Sequence, residues 1–104
     1  MNQSDLIVKA RDIASHMKGW RYNDVVTSRE SHYHACVTMT NGFKAFTIRK
    51  CWRDNNRLSV SGVYPDNRRP SRSHSIGMSY TRTGKSLAGD ITRRFIPKFI
   101  ELHE

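Results

Sequence analysis

The chain has 104 residues, with 18 Lys and Arg against 9 Asp and Glu, a formal net charge of +9. That length suits one small domain, 1–104, and leaves no room for a nucleotide-binding domain joined to a substrate domain. The two cysteines exclude a disulfide-dense scaffold, and no apolar run approaches the roughly 18 residues of a membrane span, so a basic cytoplasmic protein without membrane contact is expected. Residues 4–18 predict a helix. Ser4 is placed to cap it, and Asp5 sits in the first turn, where the helix dipole favours a carboxylate. Leu6, Ala10, Ile13, Ala14 and Met17 repeat at helical spacing, and Gly19 marks the end.

A first strand is expected at 20–27 and a second at 32–40 (HYHACVTMT). Asn41-Gly42 is the residue pair of a two-residue type I′ turn, which leads into a third strand at 43–53. That turn sets Thr40 opposite Phe43, Val37 opposite Phe46, His34 opposite Arg49 and His32 opposite Cys51. One face then carries Tyr33, Ala35, Val37, Met39, Phe46, Ile48 and Trp52 and is the predicted core. The other carries His32, His34, Cys36, Thr38, Thr47, Arg49 and Cys51. In this register Cys36 and Cys51 lie four residues apart along the hairpin, about 13 Å, beyond disulfide reach.

Asp54-Asn55-Asn56 reads as a three-residue loop with Asn56 left-handed. It sets Arg53 opposite Arg57 and sends Leu58, Val60 and Tyr64 of a fourth strand to the core face. Residues 65–73 (PDNRRPSRS) are expected to form a mobile basic loop. A fifth strand at about 73–81 alternates His74, Ile76, Met78 and Tyr80 with Ser73, Ser75, Gly77 and Ser79. A closing helix at 86–102, capped by Ser86, aligns Leu87, Ala88, Ile91, Phe95, Phe99 and Leu102, with a kink expected at Pro97. The order α-β-β-β-β-β-α implies an α+β fold. A mostly antiparallel sheet of four to five strands would carry the N-terminal and C-terminal helices on one face and leave the other polar and open.

The charge is unevenly placed. Residues 49–82 hold Arg49, Lys50, Arg53, Arg57, Arg68, Arg69, Arg72 and Arg82 against only Asp54 and Asp66, a net +6 of the +9. Arg outnumbers Lys twelve to six, and its planar fork binds phosphate bidentately and stacks on bases. These features predict a non-enzymatic nucleic-acid-binding module without a cofactor. Its phosphate contacts would be Arg49, Arg53 and Arg57 on the sheet and turn, Arg68, Arg69 and Arg72 in the loop, and Arg82 and Lys85 before the last helix. His34 on the polar face and Tyr64 at the sheet edge are placed to stack on bases. Thr83-Gly84-Lys85-Ser86 resembles the end of a phosphate-binding P-loop. Position 79 is Ser where that motif has its first Gly, so NTPase activity is not expected. The amides of a helix N-terminus beside Arg82 and Lys85 can still hold one backbone phosphate. The two terminal helices and the basic start of the last one also resemble the architecture of double-stranded RNA-binding domains.

His32, His34, Cys36 and Cys51 share a face and have the side chains of a zinc site. The usual zinc spacings are absent, and Arg49 opposite His34 would repel a dication, so no metal is expected. His32-Tyr33-His34 also resembles the His-hydrophobic-His motif of the HUH endonucleases. There a sheet-borne His pair holds a divalent metal and a helical Tyr attacks a DNA phosphate, so the resemblance implies a metal-dependent nuclease. Neither predicted helix contains a Tyr. Asp24, Glu30, Asp54, Asp66 and Asp90 form no evident catalytic pair.

The stretches Ser61 to Pro65 (SGVYP), Ile76 to Ser79 (IGMS) and Leu87 to Pro97 (LAGDITRRFIP) are similar to small phage and prophage proteins. The similarity spans about 40 residues and implies a phage or mobile-element origin and action in the host cytoplasm. It adds a second expectation, an inhibitor that docks on an acidic or nucleic-acid-binding surface of a host protein, such as a defence complex. Arg93 and Arg94 are expected on the exposed side of the last helix. The polar sheet face or an edge strand is also available to a homodimer.

Overall fold

The computed structural model of the chain describes residues 3–23, 36–51, 54, 56–63 and 75–103. They form an α+β fold: an N-terminal helix, a five-strand antiparallel sheet and a C-terminal helical segment. Helix α1 spans Gln3–Ser15. The strands are β1 (Arg21–Asn23), β2 (Cys36–Thr40), β3 (Ala45–Lys50), β4 (Arg57–Val63) and β5 (Ser75–Ser79). The chain closes with α2 (Gly84–Asp90), a π-helical turn (Ile91–Phe95) and α3 (Ile96–His103). The strands lie in the sheet in chain order, each antiparallel to the next, so β3 is central.

Strand alternation sends Val37, Met39, Phe46, Ile48, Leu58, Val60, Ile76 and Met78 to one face, and all are buried. The helices cover that face with Leu6, Ala10, Ile13, Leu87, Ala88, Ile91, Phe95 and Phe99. Three aromatic contacts run through this core. Phe46 lies 4.9 Å from Trp20 and 5.4 Å from Phe95, edge to face with the latter, and Phe95 stacks on Phe99 at 5.2 Å. The expected core is therefore found at every one of its described strand positions. Tyr33, Ala35, Trp52 and Tyr64 lie outside the described residues.

Both hairpin registers differ from expectation by two residues. Val37 pairs with Ile48 and Thr40 with Ala45, so the β2–β3 turn has four residues, Asn41 to Lys44. A type I′ turn needs positive φ at both central residues. Only Gly42 has it, at 94°, and Asn41 instead uses its side chain. Asn41 Oδ1 accepts from the amides of Phe43 at 2.9 Å and Lys44 at 2.7 Å. Beyond that, Cys51 N donates to Arg57 O, so Arg57 faces Cys51 rather than Arg53. Asn56 is not left-handed, since no described non-glycine residue has positive φ. A slip of two leaves every side chain on its expected face, which is why the core survived both errors.

The helix ends also differ. Ser4 lies within α1 rather than at its cap. Gln3 instead pairs its side-chain amide with the Cys36 backbone, donating to Cys36 O and accepting from Cys36 N, which ties α1 to β2. Gly19 has φ 86° in the turn that follows α1, as expected of a helix-ending residue. Thr83, not Ser86, caps α2, its Oγ1 accepting from Ser86 N. Where Pro97 was expected to kink the helix, the chain makes a π turn just before it, with Ile96 N bonded to Ile91 O. Pro97 lacks an N–H and crowds the preceding turn, and Thr92 Oγ1 donates to Ala88 O at 2.8 Å, so the ladder loosens between them.

Phe46→Ala should cost about 3–5 kcal/mol in urea unfolding, since it removes the ring between Trp20 and Phe95. Phe43→Ala, at the exposed hairpin tip, should change stability by no more than about 0.5 kcal/mol.

Candidate nucleic-acid interface

The sheet face away from the helices is polar by sequence. Asn23, Thr38, Thr47, Ser61 and Ser75 are cross-strand neighbours and form one row across all five strands. The adjacent row is Cys36, Arg49, Ser59 and Gly77. Next to it, Cys51 faces Arg57 and Arg57 faces Ser79. This face is not open throughout. Cys36, Thr38 and Thr47 are buried, so the accessible part runs from Arg49 on β3 to Arg57 on β4 and Ser75 and Gly77 on β5.

Two arginines dominate that part. Arg49 and Arg57 are exposed and diagonal to one another across β3 and β4. Arg57 reaches over β5, where a Cβ on Gly77 would come within 2.9 Å of its Nη2. The bare glycine backbone thus seats the guanidinium close to the sheet. Arg21 is exposed on the same face, as the β1 partner of Thr40. No strand contains a carboxylate, and none of Arg21, Arg49, Lys50 and Arg57 forms an ion pair among the described residues.

The cations around the helices are arranged differently. Arg82 forms an ion pair with Asp90 and donates to Ser86 Oγ from Nε at 3.0 Å and from Nη2 at 2.6 Å. Arg93 and Arg94 each reach Asp90 at 3.3 Å. Lys98 pairs with Glu101 at 3.4 Å. Lys9 lies 5.0 Å from the centre of the Tyr80 ring and donates to Arg82 O at 3.0 Å, and Arg11 lies over Tyr22 at 5.5 Å. Arg82 was expected to contact phosphate, yet its donors are engaged with α2. Lys85 is exposed, but the α2 N-terminus beside it is faced by a carboxylate, because a Cβ on Gly84 would overlap Asp12. The expected anion site there is thus blocked by the protein's own anion and lacks its second cation.

The zinc set also changes with register. Cys36 faces Arg49, which was expected opposite His34, and lies only two positions from Cys51 along the hairpin instead of four. Neither cysteine forms a disulfide. Cys36 is buried, and the two flank positions held by Arg49 and Arg57, an unfavourable setting for a dication. No group of three His, Cys, Asp or Glu suited to a metal occurs among the described residues. His32, His34, Arg53, Tyr64, Arg68, Arg69 and Arg72 lie outside the described residues. Among the described residues no helix is long and apolar enough to cross a membrane.

Sequence reading did not single out Arg21, exposed on the polar face, or Phe43, exposed at the hairpin tip. The alternation expected of a first strand was not clean around Arg21, and the assumed two-residue turn placed Phe43 inside a strand. It also missed the role of Asp90, whose signal is the spacing to Arg93 and Arg94 at i+3 and i+4.

Asp90 supplies a pH test. The Arg82 hydrogen bond, reinforced by the charges of Arg82 and Arg94, holds its carboxyl below the ordinary value of 3.8 against an opposing effect of burial. A lowered folded-state value means that the extra stability is complete above 3.8, fades as pH falls below it, and is gone below the folded value. Arg82 is raised above the ordinary guanidinium value by the same bond, so its contribution is lost only in strong alkali. Asp90→Asn should therefore cost about 1–2 kcal/mol at pH 7 in urea unfolding, with the gap to wild type narrowing below about pH 4.

No protein-family model matches this chain, and no match is found among the curated proteins or the solved structures.

Proposed function

We propose that this protein binds nucleic acid through the polar face of its sheet and acts without chemistry of its own. The observation that carries the reading is the unequal treatment of its cations. Around the helices, Arg82, Arg93, Arg94 and Lys98 each have a carboxylate within ion-pair distance, the three arginines sharing Asp90 and Lys98 meeting Glu101. On the sheet, Arg21, Arg49 and Arg57 stand among hydroxyl side chains with no carboxylate among the described strand residues. Unpaired guanidinium groups over a small, hydrogen-bonding surface suit a phosphate backbone, which supplies repeated charge and acceptors. By sequence, Arg53, Arg68, Arg69 and Arg72 extend the same cationic set. A phage or mobile-element origin is part of the same proposal, based on the sequence likeness of Ser61 to Pro65, Ile76 to Ser79 and Leu87 to Pro97 to small phage proteins.

Labelled DNA and RNA oligonucleotides titrated at about 50 and 200 mM salt should lose affinity steeply at the higher concentration. Arg49→Ala combined with Arg57→Ala should lower the log–log salt slope by about one to two and leave the urea midpoint unchanged. Arg93→Ala should leave the slope as it is, because that side chain belongs to the Asp90 cluster. Undetectable binding at low salt contradicts the proposal. Stoichiometric capture of one acidic host protein from nuclease-treated lysate would then favour the inhibitor. Metal-dependent cutting abolished by His34→Ala would instead favour the nuclease.

A further inference from the structure

Phe43 is the most exposed large apolar side chain among the described residues, at 94%. It contributes nothing to the core, yet the loop that presents it is closely held. Asn41 Oδ1 accepts from Phe43 N and Lys44 N, and Asn41 N donates to Lys44 O at 3.1 Å. Thr40 Oγ1 accepts from Gly42 N at 3.0 Å and donates to Lys44 O at 2.9 Å. Five hydrogen bonds therefore fix a four-residue loop whose outermost side chain is a phenyl ring. The backbone that carries the ring loses little conformational freedom when the loop meets a partner.

The surroundings indicate what that partner is. The loop projects from the end row of the sheet, where Arg21 faces Thr40, Thr40 faces Ala45 and Ala45 faces Val63. Arg21 and Val63 are exposed. The whole hairpin from Cys36 to Cys51 contains Lys44, Arg49 and Lys50 and no carboxylate. An aromatic face within a cationic, carboxylate-free surface matches a nucleobase attached to its phosphate. Inside a duplex both faces of a base are already stacked and a ring must unstack it at a cost, whereas an unpaired base offers a free face.

We infer that Phe43 is a stacking platform for an unpaired base, so that the preferred ligand is single-stranded rather than duplex nucleic acid. This rests on the sheet-face reading above and gives it a ligand class. The base stacks on the ring at the hairpin tip, and its flanking phosphates meet Lys44 in the loop and Arg21 opposite Thr40.

The test compares a single-stranded oligonucleotide with its own duplex by anisotropy, for wild type, Phe43→Ala, Phe43→Leu and Phe43→Trp. Wild type should prefer the single strand. Phe43→Ala should weaken single-strand binding about 10-fold, leaving duplex affinity, salt slope and folding unchanged. Phe43→Leu, apolar but without a π face, should behave like the alanine variant, and Phe43→Trp should bind at least as well as wild type. If wild type binds both forms equally, or Phe43→Ala binds the single strand normally, the stacking role is overturned while the sheet-face reading stands. If Phe43→Leu matches wild type, the ring is an apolar anchor and the base-stacking role is overturned. If wild type binds neither form, both proposals fail together.

Discussion

The contact on which this structure depends is that of Phe46 on the central strand with Phe95 in the C-terminal helical segment. With only 37% apolar residues in 104, the chain can build one thin core and no second. Phe46 ties that core together from its middle, touching Trp20 after α1 and Phe95 above the sheet. The π turn preserves the arrangement. Ile91, Phe95 and Phe99 all stay buried although Pro97 and Thr92 disturb the helix between them. Because this face takes the apolar side chains of every strand, alternation leaves Arg, Ser and Thr to the other face.

That division also sorts the charges. Around the helices each acid works within the protein. Asp90 gathers Arg82, Arg93 and Arg94 at the start of the C-terminal segment, and Asp12 fills the space that Gly84 leaves by having no side chain. The described strand residues include no carboxylate, and among the described residues Arg21, Arg49 and Arg57 form no ion pair. The net charge of +9 is therefore less informative than its bookkeeping suggests. The proposed function rests on a narrower contrast: among the described residues Arg82, Arg93, Arg94 and Lys98 have carboxylate partners, and Arg21, Arg49 and Arg57 form no ion pair.

How much of this was legible in the sequence follows from what each signal measures. Alternation in CVTMT, AFTIRK and RLSVSGV reports which face a side chain takes, and there expectation and structure agree. It does not report register to within two residues, because a slip of two leaves each face intact. Register was assigned from Asn41-Gly42, whose turn preference was overridden by the Asn41 and Thr40 side chains closing a longer loop. That one error hid Phe43, misplaced Arg49 opposite His34 and doubled the Cys36–Cys51 offset. Arg82 was misread for a different reason. Its partner lies eight residues away, and only the turn between β5 and α2 brings Asp90 within reach.

The central claim is that the ligand meets the sheet and not the helices, and mapping backbone amides tests it most directly. In two-dimensional NMR spectra of the labelled protein titrated with a short single-stranded oligonucleotide, the account predicts that shift changes concentrate at Arg21, Phe43, Lys44, Arg49, Arg57 and Gly77. Amides of α1 and of Arg93 to Lys98 should stay close to their free positions. Changes concentrated on the helices, with the sheet amides unmoved, would contradict it.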